Sequence, residues 1–143
     1  RRYFPGCALT ADMITGFPGE TEADQAAAVA FLEQVGFAAV HVFPYSRRPG
    51  TKADAMPEQL SHAVKSARAH EAQRVADGCK QRYLAQQVGR ILPVLFETEH
   101  DGNWVGHSDN YCLVRAAGDD LRGLVKNVKI SAVSGQMLVG DLV

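Results

Sequence analysis

Two short stretches carry the side chains best suited to binding chemistry. The first, "GFPGET" at residues 16–21, crowds Gly16, Phe17, Pro18, Gly19 and Glu20 into one turn; the second, "PYSRRPGT" at residues 44–51, sets Ser46 beside Arg47 and Arg48. Two guanidinium forks among Ser, Gly and Pro suit a phosphate or carboxylate, and equally suit a solvated loop. Gly16 and Gly19 either bring backbone close to a ligand or only permit a sharp corner, and Glu20 either meets a ligand or favours the positive end of a following helix. A polar residue stands inside each of two apolar runs, Asp12 in "CALTADMITGF" and His41 in "FAAVHVF". Such residues line a site or are structural groups with internal partners. No residue is singled out as catalytic.

The last third of the chain offers a different chemistry. Trp104, Tyr111, Arg115, Lys126 and Lys129 supply aromatic faces for base stacking and cations for phosphate. Against this, residues 88–143 hold five Lys plus Arg and seven Asp plus Glu, and Trp104 suits the closed end of a barrel as well as it suits RNA. Cys7, Cys79 and Cys112 are odd in number and far apart, without metal or redox spacing, so they read as plain thiols in a reducing compartment, and no metal ligand is assigned.

The elements that must position these residues follow from pattern. "CALTADMITGF" reads as a strand covered on both faces; "TEADQAAAVAFLEQVG" reads as a helix with Thr21 and Asp24 in capping-box spacing, a stripe of Val29, Leu32 and Val35, and a stop at Gly36. "FAAVHVF" is a second strand, "PYSRRPGTKADAM" a loop, and Pro57 opens a long helix reaching Val88, with Gly78 as a point of bending and Leu60, Val64, Ala67, Val75 and Leu84 as its stripe, interrupted by Glu71. The order βαβα predicts a parallel sheet, whose loops beyond the strand C-termini bring both candidate stretches to one rim. If the strands alternate, Thr10, Asp12 and Ile14 share one side of the first, and Ala39, His41 and Phe43 one side of the second. Beyond Gly89, short β-rich runs between Asp-Gly, Gly-Asp-Asp and Ser-Gly turns predict four or five strands of a small antiparallel β-barrel. The fold class is α/β, with domains at 1–87 and 88–143.

Composition sets outer limits. The 143 residues are 46% hydrophobic with a net charge of −1, enough for real cores and without a global basic signature for nucleic acid. No apolar run approaches the roughly 20 residues needed to span a bilayer, and no leader is visible, so the expected setting is cytoplasmic, with no membrane partner. The chain starts at Arg1 without Met and runs almost directly into a strand. It is therefore expected to be a piece of something longer.

As a set, "ALTADMITGFPGETEAD", "GFAAVHVFPYSRRPGTKADAMP", the long polar helix and a tail with "NWVGHSDNYCLV" and "GQMLVGDLV" resemble the C-terminal part of the radical S-adenosylmethionine (SAM) methylthiotransferases. The resemblance covers essentially the whole chain. It implies the last strands of an open parallel radical SAM barrel followed by an OB-like TRAM domain. The loop at His41 to Tyr45 most resembles the MtaB type, which adds a methylthio group to carbon 2 of N6-threonylcarbamoyladenosine beside the tRNA anticodon.

The resemblance further implies that Gly16, Phe17, Pro18, Gly19, Glu20, Asp12, Ser46 and Arg47 border a SAM pocket, and that Trp104, Tyr111, Arg115, Lys126 and Lys129 are candidates for the face that meets the tRNA anticodon stem-loop. The parent would carry SAM and two 4Fe-4S clusters. Their three-cysteine sets are absent here, so this chain should hold no cluster and be inactive by itself. Alternatives are a non-catalytic RNA-binding protein and a methylthiotransferase acting on an aspartate of a ribosomal protein. A sheet that has lost its upstream neighbour exposes an edge, which predicts self-association; light scattering at high concentration should show dimers or larger species, and a monodisperse monomer would contradict it.

Overall fold

A computed structural model of the chain describes residues 3–4 and 6–143. It divides into two units, one of residues 9–80 and one of residues 81–143 with described residues 3–4 and 6–8.

In the first unit, β1 (Thr10–Thr15) and β2 (Ala39–Pro44) pair in parallel, in a register that sets Thr10 beside Ala39, Asp12 beside His41 and Ile14 beside Phe43. Between them runs α1 (Glu22–Val35). Its capping box forms as the spacing predicts. The Thr21 hydroxyl accepts the Asp24 amide at 3.1 Å, while the Asp24 carboxylate accepts the Thr21 hydroxyl and amide at 2.7 and 2.9 Å. The Thr21 hydroxyl, and then its amide, hold the Asp24 carboxyl below its ordinary range. At the other end Gly36 takes φ 63°, a left-handed cap open to glycine without strain.

A short helix, α2 (Lys52–Ala55), and a long one, α3 (His62–Ala85), follow. The long helix starts five residues later than its sequence suggests. Glu58 has φ 60°, the Gln59 side chain is drawn back onto the carbonyls of Ala53 and Met56, and the Ser61 hydroxyl accepts the Val64 amide in the manner of an N-cap. The buried ridge also differs from the expected one. It runs through Lys65, Arg68, Ala72, Val75, Ala76, Cys79, Tyr83 and Leu84, whereas Leu60 precedes the helix and Ala67 is exposed. Two charged residues occupy ridge positions and disguise the period. Gly78 causes no break, because the helix is continuous across it.

Leu32, Val40, Ala72, Val75, Ala76 and Cys79 form the core under one face of the two-stranded sheet, with Met13, Val29, Phe37 and Val42 against it. The opposite face is bare. Ile14 is 57% and Phe43 52% exposed, with Asp12 and His41 exposed beside them. The expectation of strands covered on both faces is corrected: helices cover only one face.

In the second unit, β3 (Ile91–His100), β4 (Asn103–Ser108), β5 (Leu113–Ala117), β6 (Val125–Ser134) and β7 (Met137–Leu142) pair in the order β3-β4-β5-β7-β6, and β6 returns to β3 to close the barrel. Four of the five pairings are antiparallel, but β5 and β7 run parallel, so the barrel is not wholly antiparallel as expected. Leu92, Val94, Phe96, Val114, Val128, Ile130 and Leu138 fill it. Two pairs show how the sheet turns its corners. Gly106 faces Phe96 and Gly140 faces Ile130, each next to a register shift, and a Cβ at either glycine would strike the carbonyl oxygen of Leu95 or Lys129. Only glycine lets the backbones approach that closely.

Candidate functional site

The turn after β1 is built around one amide and one carboxylate. Gly16 has φ 69°, and a side chain there would also run into the Cγ of Lys65 at 2.6 Å, so both its conformation and its packing demand glycine. Its amide donates to both oxygens of Glu20, each at 3.0 Å. The same carboxylate accepts Arg68 Nη1 at 2.6 Å; Nη1 also reaches the Glu20 carbonyl at 2.9 Å, and Nη2 reaches Glu22 at 2.7 Å. Arg68 is buried, and the hydrogen bond to Glu22, then that to Glu20, raise its affinity for the proton against the effect of burial. The Glu20 side chain is 15% exposed. Its carboxylate is thus committed to Gly16 and Arg68.

The second loop rises beside the first. The Tyr45 amide donates to the Thr15 carbonyl at 2.8 Å, and the rings of Phe17 and Tyr45 meet edge to face with centroids 5.2 Å apart. Between the loops and the bare sheet face lies an open cleft of about 550 Å³, lined by Ile14, Phe17, Phe43, Pro44, Tyr45, Ser46, Arg48, Thr51 and Ala53. Of the sequence candidates, Phe17 and Ser46 line it directly. Gly16, Pro18, Gly19 and Glu20 form the turn that carries Phe17, and Asp12 lies on the bare face two residues before Ile14. Arg47 turns to Asp54, with Nε 2.7 Å from its carboxylate and Nη2 3.1 Å from its carbonyl.

In the barrel the five RNA candidates do not form one patch. Trp104 is 7% exposed and belongs to the barrel's interior, the structural one of its two readings. Lys129 lies opposite Asp141, and Arg115 opposite Val139, so both project from the outer face; Lys126 pairs with buried Val94 and lies on the other face of β6. Tyr111 is 86% exposed at φ 61°. It borders a second cleft of about 420 Å³ with Pro93, Leu95, Glu97, His107, Ser108, Asp109 and Val125. Sequence reasoning missed Leu95, His107 and Val125, because the barrel's register, rather than any local spacing, brings them beside Tyr111.

Comparison with known proteins gives these clefts a context. The chain is 37% identical over 136 residues to the threonylcarbamoyladenosine tRNA methylthiotransferase MtaB of Bacillus subtilis, covering 91% of this chain and 30% of that protein. It is 40% identical over 141 residues to the tRNA-2-methylthio-N(6)-dimethylallyladenosine synthase of Maricaulis maris, covering 96% of this chain and 31% of that protein. With the synthase of the same description from Campylobacter jejuni the match is 35% over 145 residues, covering 100% and 34%. The chain is homologous to part of the tRNA methylthiotransferases. It spans about a third of the length of these relatives. No family model matches it.

Cys79 and Cys112 are buried thiols in different units. Among the described residues no group of three His, Cys, Asp or Glu side chains could hold a metal ion. No described helix is long and apolar enough to cross a membrane.

The Glu20 clamp makes a specific demand on stability. Removing the carboxylate in Glu20→Ala leaves buried Arg68 with the residue-20 carbonyl and one carboxylate, that of Glu22, which is 88% exposed, and frees the Gly16 amide. A loss of about 3 kcal/mol is expected. Urea unfolding, followed through amide signals of residues 9–80, checks it, and an unchanged midpoint would contradict the clamp.

Proposed function

We propose that this chain is the SAM-contacting and RNA-contacting portion of an enzyme that adds a methylthio group to carbon 2 of N6-threonylcarbamoyladenosine beside the tRNA anticodon. The observation that carries the reading is the match to tRNA methylthiotransferases over 91–100% of the chain. In this reading β1 and β2 are the last strands of an open parallel radical SAM barrel, and their bare face is the inner one, completed by strands elsewhere in the protein. Ile14, Phe17 and Phe43 give an apolar wall for an adenine ring, and Ser46 gives a hydroxyl for a ribose, while the Thr51 hydroxyl is engaged by the Arg48 carbonyl and the Asp54 amide, so the cleft residues fit SAM. When bound, SAM supplies the radical and the methyl group.

The chain's own contribution is positional. The Glu20–Arg68 clamp holds the turn that presents Phe17, and the contact of Phe17 with Tyr45 fixes the two loops against each other. The clusters require cysteines outside this chain, which makes it inactive alone. Its β-barrel is the TRAM-like module that meets the anticodon stem-loop, with Tyr111 and its cleft as the aromatic contact and Arg115 and Lys129 as cations on the outer face. The bare face and open edge of the β1–β2 sheet favour self-association when the rest of the protein is missing.

The choice of substrate rests on the loop at His41 to Tyr45 and on the similarity to the Bacillus subtilis enzyme. Relatives named for dimethylallyladenosine are comparably similar. Mass spectrometry of tRNA nucleosides from a strain lacking the gene decides between them. Loss of the methylthio group from threonylcarbamoyladenosine is expected. Loss from dimethylallyladenosine instead would transfer the assignment to that substrate, and no change in either nucleoside would overturn the tRNA reading.

A further inference from the structure

Beside the apolar cleft, and sharing Pro44, Tyr45 and Ser46 with it, lies a smaller one of about 330 Å³ lined also by Arg47, His62 and Lys65. Its side chains have a distinctive balance. Lys65 is only 9% exposed. Its ammonium stands 4.9 Å above the centre of the Tyr45 ring, and it has no carboxylate within ion-pairing distance among the described residues. A cation that has given up most of its water for one aromatic face lacks the counter-charge that ordinarily accompanies burial.

The groups around it add to the imbalance. The Tyr45 hydroxyl is itself buried without a partner. Arg47 brings a second cation, held in place and partly neutralised by Asp54, and 56% of its side chain remains exposed. His62 stands at the first turn of α3, where backbone amides favour negative charge.

We propose that Ser46, Arg47, His62 and Lys65 form a carboxylate subsite, which takes the amino-acid end of an adenosine-linked ligand whose base lies in the adjoining apolar cleft. The inference rests on the functional reading above and names a part of that site. An apolar chamber opening onto a cationic one, with three residues common to both, matches a molecule that has a flat base at one end and a carboxylate at the other. Two such molecules fit the chemistry: SAM, and threonylcarbamoyladenosine, whose substituent carries a carboxylate. Dimethylallyladenosine has no carboxylate and gains nothing from the subsite.

Heteronuclear NMR titration of the 143-residue chain separates these sources. The probes are SAM, 5′-methylthioadenosine, the threonylcarbamoyladenosine nucleoside and the dimethylallyladenosine nucleoside. At least one carboxylate-bearing probe should bind about tenfold more tightly than its carboxylate-free counterpart, SAM against methylthioadenosine or threonylcarbamoyladenosine against dimethylallyladenosine. The pair that shows the difference identifies the source. Lys65→Met, which keeps the aliphatic packing on Gly16 and Tyr45, and Arg47→Gln, at an exposed position, should each abolish that difference while leaving binding of the carboxylate-free probe unchanged. Equal binding within both pairs overturns the subsite and leaves the functional reading standing. Failure of all four probes to shift residues lining the apolar cleft overturns both the subsite and the placement of the base in that cleft.

Discussion

One buried guanidinium organises the loop end of the first unit, beyond the C-termini of β1 and β2. Arg68 reaches from α3 to the carboxylate and carbonyl of Glu20 and to Glu22, and the Glu20 carboxylate in turn holds the Gly16 amide with both oxygens. The turn after β1 is thereby tied to a helix far away in sequence. Placing a full charge in a poorly solvated position is expensive unless it is paired, and here Nη1 and Nη2 are engaged while Nε has no partner, so the arrangement depends on Glu20 and Glu22 and favours one loop geometry over its neighbours. Phe17 and the apolar cleft follow from that geometry.

The elements that local chemistry dictates were legible in the sequence. The Thr21 and Asp24 capping box and the Gly36 stop follow from residues close together in the chain, and the order of elements and the turn spacing pointed to a parallel strand pair and a barrel of four or five strands, though not to the parallel pairing of β5 with β7. The start of α3 was harder, since it depends on left-handed Glu58 and on Gln59 folding back over α2. Its buried ridge was harder still. Lys65 and Arg68 break the apolar period because one packs against Gly16 and the Tyr45 ring and the other clamps the turn after β1, so two charged side chains stand at buried positions where the pattern calls for apolar ones.

The candidate site was legible in outline for a related reason. Strand-to-helix turns must lie beyond the strand ends, and the two loops therefore share a rim. Which side chains face a cleft was not legible. Arg47 turns to the carboxylate and carbonyl of Asp54 in α2 while Arg48 lines the larger cleft, a distinction that adjacent identical residues do not announce. In the barrel, Arg115 and Lys129 share the outer face while Lys126 lies on the other, because residues 126 and 129 are an odd number of positions apart in one strand.

The central claim is that the rim loops beside the bare sheet face, rather than the barrel, meet the adenosine ligand. Hydrogen–deuterium exchange of the chain with and without saturating SAM tests it most directly. The account predicts slowed exchange at residues 16–20 and 45–51 with the barrel amides unchanged; slowing confined to residues 88–143 would contradict it.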